Sequence, residues 1–297
     1  MISMIKIGIV GSDNSHAIAF SKLTNVPGPD GKPKISGARV VRLFGLDAAR
    51  NEEVAREGQI DKIVEKPEDM LGEVDAVMVV FRHGNLHLKY ALPFISAGIP
   101  TFVDKPFAID IQDCLKMLDT AEKAGTLLTS YSTVRYAQDV ADFAKEAEKI
   151  GEVKCGSVLG PCDLNSQYGG AYFYGTHAIE TMLRVFGYDI ESIVAREAGG
   201  NVAATVRFKN ERMVSLWLLG PKVAATYQVG AVGSSGTLYK ILDISSCYEE
   251  GLKVFLEMIQ TGKRPLDRRQ LLTPIKVVET ILKALDSKRE ELFSLPV

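Results

Sequence analysis

The chain has 297 residues, 46% hydrophobic and 24% charged, the balance of a globular protein with room for two layered domains. A formal net charge of -2 offers no basic field for nucleic acid, and no stretch approaches the about 18–20 apolar residues of a membrane span. Four cysteines at 114, 155, 162 and 247 form no CxxC pair and no Cys/His cluster, which excludes a zinc knuckle or a disulfide framework.

The apolar start "MISMIKIGIVG" runs into a glycine turn instead of a leader cleavage site, so the expected location is cytoplasmic. "KIGIV" (6–10) reads as a strand and "HAIAFSKLTNV" (16–26) as a helix, followed by a Pro/Gly loop at 27–37. "ARVVRLFGLD" (38–47) is a β-branched strand and "AARNEEVAREG" (48–58) a helix. "VDAVMVVF" (74–81) is almost wholly apolar, as a strand buried on both faces must be. A helix at 85–98, a strand at 99–106, a helix at 110–125 and a strand at 126–130 continue the alternation. This order predicts a doubly wound parallel sheet over residues 1–132, with its site at the carboxyl ends of the strands.

From residue 133 to 297 the pattern changes. A charged helix is expected at 134–151 and another at 175–187, followed by successive strands at 191–198, 201–208, 212–219, 224–232 and 236–242. Lys209-Asn210-Glu211 resembles a hairpin turn, and helices at 247–262 and 273–288 end the chain. The expectation is an α+β domain built on an open, mostly antiparallel sheet.

Three places carry chemistry. In "IGIVGSDNSH" (7–16), Gly8 and Gly11 fit the opening of a dinucleotide fold, but Asp13 and His16 occupy its second and third glycine positions. Ser12, Asp13, Asn14 and Ser15 are all strong helix caps, so one of them is expected to satisfy the amides that otherwise bind phosphate. Asp13 would bring a carboxylate beside a diphosphate unless it turns away. Asp47, at the end of the second strand, can accept both ribose hydroxyls of an adenosine or cap the following helix, and it favours NAD over NADP. Lys105, in "VDKPF" (103–107), ends a strand where an ammonium can bond a substrate hydroxyl and stabilise charge on its oxygen.

"IGIVG", "VDAVMVV", "NLHLKYALPFISAGIPTFVDKPFAID" and "GTHAIETML" together resemble the glucose–fructose oxidoreductase / inositol dehydrogenase / MocA (Gfo/Idh/MocA) family. The resemblance implies a Rossmann domain, a second domain with an open antiparallel sheet, and hydride exchange between NAD or NADP and a sugar- or polyol-like carbon. It places Lys105 on the family's active-site lysine and His177 on its catalytic histidine, a general acid/base. Asp104 stands where the family usually has Glu, and His87 matches a frequent family histidine. Two departures stand out. Arg82-His83 replaces the usual Thr-Pro near the cofactor, and Phe173 occupies a position that often holds a substrate-binding aspartate. Tyr174 or Tyr172 could supply a hydroxyl there. Arg135 and Tyr136 resemble an aromatic–basic pair that contacts substrate or braces a helix. The strand "RMVSLWLL", with Trp217, could feed a homodimer or homotetramer interface. The competing functions are an NAD-assisted lyase or hydrolase, and a non-catalytic sugar- or nucleotide-binding protein.

Overall fold

A computed structural model describes residues 4–296; Met1–Ser3, which begin the N-terminal segment read above, and Val297 lie outside the described residues. Its contacts divide the chain into two compact units. One runs up to Tyr131 and includes Tyr248–Asp267; the other comprises Ser132–Cys247 and the chain from Arg268 onward.

The first unit holds a six-stranded parallel sheet built from β1 (Ile5–Val10), β2 (Ala38–Phe44), β3 (Lys62–Ile63), β4 (Ala76–Val79), β5 (Thr101–Asp104) and β6 (Leu128–Tyr131). Every residue of β4, β5 and β6 is buried, which explains why the β4 segment reads as a continuous apolar run. The strand order is β3-β2-β1-β4-β5-β6, so the winding reverses direction between β1 and β4. Ligands of doubly wound sheets bind at that reversal, beyond the carboxyl ends of the strands. The turn after Val10, the Arg82-His83 segment and Lys105 all follow such strand ends. Helices α1 (Ser15–Asn25), α2 (Ala48–Gly58), α3 (His87–Ser96) and α4 (Ile111–Ala124) connect the strands. Helix α4 closes on Gly125 at φ 63, whose amide returns to the Ala121 and Glu122 carbonyls.

The segment Tyr248–Asp267 groups with this unit although it follows six strands of the other in sequence. Most of it is α7 (Cys247–Thr261). Tyr131 donates its hydroxyl to the Gly251 carbonyl at 2.8 Å, and Phe102 meets Phe255 at 5.8 Å between ring centroids.

The second unit carries a seven-stranded mixed sheet of β7 (Val153–Pro161), β8 (Ile190–Ala198), β9 (Asn201–Phe208), β10 (Met213–Leu219), β11 (Gln228–Gly233), β12 (Gly236–Ile241) and β13 (Glu291–Leu292). Their order is β12-β11-β7-β10-β9-β8-β13; β7 and β10 run parallel and the other neighbours antiparallel. Strict alternation along β10 buries Val214, Leu216 and Leu218 and exposes Met213, Ser215 and Trp217. The unit's helices are α5 (Gln138–Ala147), α6 (Ala171–Phe186) and α8 (Arg268–Ser287), with α6 packed on β7 and β10 and α8 on β8.

Three local expectations change. The single helix expected at 134–151 is a 3₁₀ turn, Thr133–Tyr136, followed by α5, because Ala137 adopts φ -50 and ψ 140. Strand β7 occupies a segment that gave no strand signal. Helix α8 begins at Arg268 and carries Pro274 two turns in, instead of starting at 273. The hairpin expected at 209–211 is present, with Glu211 at φ 63 between β9 and β10. Among the described residues no helix is long and apolar enough to cross a membrane.

Candidate functional site

The turn after β1 is shaped by Gly11, whose φ of 114 favours glycine. A Cβ there would lie 2.7 Å from the Phe81 amide nitrogen. Gly8 lies inside β1 with its Cα turned towards Met70 and Val74, and it serves packing. Asn14 is the cap of α1: its Oδ1 accepts the His16 amide at 3.3 Å. Ser15 opens the helix and is exposed, while Ser12 is buried.

Both residues that replace glycine have their side chains pinned. His16 turns inward, 5% exposed, with Nδ1 2.5 Å from Asp104 Oδ2. Its ring lies edge-on to Tyr248 at 5.0 Å and to Phe20 at 6.0 Å. Asn14 Nδ2 donates to the same Asp104 oxygen at 3.2 Å. Asp13 Oδ2 accepts the Arg82 amide at 3.2 Å, and its Oδ1 is buried without a hydrogen-bond partner. The Asp13 carboxylate therefore ties the β1 turn to the segment after β4.

Asp104 and Lys105 end β5 in full burial. Burial opposes ionisation of Asp104, but the His16 charge and hydrogen bond, helped by Lys105, outweigh it and hold the carboxyl below the usual carboxylate range. Burial pushes the Lys105 ammonium down from its ordinary value; Asp104 works against that shift and Arg82 adds to it. The Lys105–Pro106 peptide is cis. His87 is enclosed, with Nδ1 2.8 Å from the Pro106 carbonyl and Nε2 2.9 Å from that of Phe81. Burial lowers its pKa, and the resulting neutral ring can donate to only one of the two carbonyls. His83 caps a short 3₁₀ turn, its Nδ1 accepting the Asn85 amide at 3.3 Å.

Asp47 caps α2 through Oδ1, which accepts the Arg50 amide at 2.8 Å, so the capping half of its expected role is in place. Arg50 is a residue the sequence reading missed. Its Nε donates to the Ser12 carbonyl at 3.0 Å and its Nη1 to Glu53 at 2.6 Å, which brings a guanidinium to the glycine turn. Its place one turn after Asp47 was the available signal.

In the second unit His177 lies on the buried face of α6, 6% exposed. Its Nδ1 is 2.6 Å from Ser132 Oγ, which also accepts the Val134 amide at 3.2 Å. One helical turn on, Glu180 accepts the Ser132 amide at 2.7 Å and Arg135 Nη1 at 3.0 Å. Arg135, 3% exposed, also donates to the Tyr188 hydroxyl at 2.8 Å. Burial disfavours its charge, but Glu180 and Tyr188 more than compensate and raise its pKa. Tyr174 is 44% exposed, its ring 5.7 Å from that of His177. The sequence reading missed Ser132 and Glu180. A glutamate inside the apolar run "AIETML" was the signal for the second.

Among the described residues no group of three or more His, Cys, Asp or Glu side chains is placed to hold a metal ion. The first unit suits a dinucleotide. Asp47 is exposed, and its capping bond is made through Oδ1. Gly11 lets the turn pass close to the Phe81 backbone, and the side chains replacing glycine are drawn aside onto Asp104 and the Arg82 amide. The unpartnered Asp13 oxygen weakens the fit at the diphosphate.

The fold is thus a Rossmann-type parallel sheet followed in sequence by an open mixed sheet. Residues 5–132 match the model of the Gfo/Idh/MocA oxidoreductase family, which has an NAD-binding Rossmann fold. Inositol 2-dehydrogenase 3 of Saccharopolyspora erythraea is 28% identical over 133 residues, 44% of this chain and 36% of that protein. 1,5-anhydro-D-fructose reductase of Ensifer adhaerens is 32% identical over 109 residues, 36% of this chain and 32% of that protein. The chain therefore aligns with about a third of the length of these relatives. Among solved structures, apo scyllo-inositol dehydrogenase from Lactobacillus casei superposes with a TM-score of 0.85 at 16% identity, covering 98% of this chain and 99% of that one.

Proposed function

We propose that this chain is an NAD(P)-dependent oxidoreductase that exchanges hydride with a sugar- or polyol-like alcohol carbon. The observation that carries the reading is the buried Lys105 ammonium at the end of β5, in the unit that matches an NAD-binding family. The relatives named for inositol and anhydrofructose chemistry support the substrate class. A bound nicotinamide supplies the two-electron acceptor or donor.

Lys105 donates a hydrogen bond to the reacting oxygen and stabilises the charge that develops on it. His177 moves the hydroxyl proton. The Ser132 hydroxyl can either donate to Nδ1 or accept from it, so the ring can offer a bare or a protonated Nε2 without moving. Arg135 and Glu180 act behind it by holding Ser132. Asp47 takes the adenosine ribose and favours NAD over NADP, while Arg50 and Arg82 offset the Asp13 charge at the diphosphate.

The open sheet face presents Met213, Trp217, Tyr239 and Ile241, 45–64% exposed, and pairs two copies into a homo-oligomer. Light scattering on the native protein and on Trp217→Arg tests this: the native protein runs as a dimer or larger assembly and the variant as a monomer. Four free cysteines, three of them buried, fit a reducing compartment such as the cytoplasm.

The activity test is formation of reduced nicotinamide across a panel of polyols and sugars. Lys105→Ala and His177→Ala should each cut turnover by about 10²–10⁴-fold. Full activity in either variant would contradict the assigned roles.

A further inference from the structure

Beside the start of α6 the second unit contains a cavity of about 570 Å³, within the size range of small-molecule sites. Its wall is aromatic: the Phe173 ring lies 4.9 Å from Tyr168 and 4.7 Å from Tyr174. Leu219 continues the apolar lining, and Asn165 and Gln167 bring amides to it. The Asp163 carboxylate, also on the lining, is turned to the Asn165 amide at 2.9 Å. Burial pushes the lining Cys162 thiol up to about 12, which keeps it in the thiol form. Tyr174 connects the cavity to His177, one ring away.

An aromatic wall rewards the apolar face of a ring and leaves buried hydroxyls without partners, which disfavours a free polyol. Phe173 stands one helical turn before His177 on α6, so the two side chains are neighbours on one helix face, with Tyr174 between the cavity and the His177 ring. We propose that this cavity receives an apolar, ring-bearing substituent of the substrate, making the preferred ligand a cyclic alcohol with an aryl aglycone and not a free polyol. This rests on the reading of His177 as the group that moves the substrate proton. Phe173 and Tyr168 set the preference, and the amides of Asn165 and Gln167 meet the hydroxyls at the rim.

Saturation-transfer NMR and titration of the full chain, without dinucleotide, test the proposal directly. The probes are the 4-nitrophenyl glycosides of glucose, galactose and mannose, each against its parent sugar, together with myo-inositol. At least one glycoside should bind about tenfold or more tightly than its parent sugar, with saturation concentrated on the aryl protons. Phe173→Asp should abolish that preference and Phe173→Leu should keep it, with Tyr168→Ser as a second probe should Phe173→Asp fail to fold. Equal binding of sugars and glycosides, no glycoside binding at millimolar concentration, or a preference untouched by these variants would overturn the proposal. Glycoside binding with no reduced nicotinamide formed on adding NAD would support the cavity's ligand class and contradict the oxidoreductase reading.

Discussion

The turn at Gly11–His16 and the cluster around His177 build their sites in opposite ways. In the first, the proposed cofactor contact is with backbone, and the side chains that replace glycine are drawn aside: His16 onto Asp104 and Asp13 onto the Arg82 amide. In the second, the proposed proton-transfer group is a side chain, His177, and a buried network holds it through Ser132, Glu180 and Arg135. One site is damaged by adding atoms and the other by removing them. That difference tells which substitutions are informative in each.

The largest effect is expected in the second unit. Glu180→Gln leaves the Arg135 guanidinium buried without its counter-charge and should cost about 3–5 kcal/mol, read from urea unfolding. A loss under about 1 kcal/mol would mean that the pair does not brace His177. Next comes Gly11→Ala, which combines an unfavourable φ with a close approach to Phe81. It should cost about 1–3 kcal/mol and weaken NAD binding, whereas Ala at the exposed Ser15 should do neither.

His16→Gln should cost about 1–2 kcal/mol at neutral pH by weakening the bond to Asp104. Because the folded-state pKa of Asp104 lies below its unfolded value, its contribution is present above the unfolded pKa and is lost as pH falls through the folded one. Without His16 the folded pKa rises, so the midpoint of acid unfolding should move to higher pH. An unchanged midpoint would show that the His16–Asp104 contact carries no stability. The smallest effect is Asp13→Gly, which removes a like charge from the diphosphate path and should tighten NAD binding by about tenfold.

Much of the first unit was legible because its elements advertise themselves. The buried strand β4 is a continuous apolar run, and Asp47, Asp110 and Gly125 punctuate the helices they border. The second unit hid one of its central strands. In β7, Gly156 leaves room for the Phe186 ring and Gly160 for Ala178, whose Cβ would lie 2.9 Å from one added there. Glycines that admit α6 so closely remove the β-branched pattern by which a strand is recognised. The grouping of Tyr248–Asp267 with the first unit was equally invisible, since chain order carries no record of it. Of the site residues, Lys105 and His177 follow from a strand end and a family resemblance. Ser132, Glu180 and Arg50 act through contacts that become visible only once the chain is folded.

The central claim is that the altered glycine turn still holds a nicotinamide dinucleotide, and calorimetric titration of the native chain and Asp13→Gly with NAD tests it most directly. The account predicts saturable binding to the native chain, tightened about tenfold in the variant. No binding of NAD or NADP to either protein at millimolar concentration would contradict it.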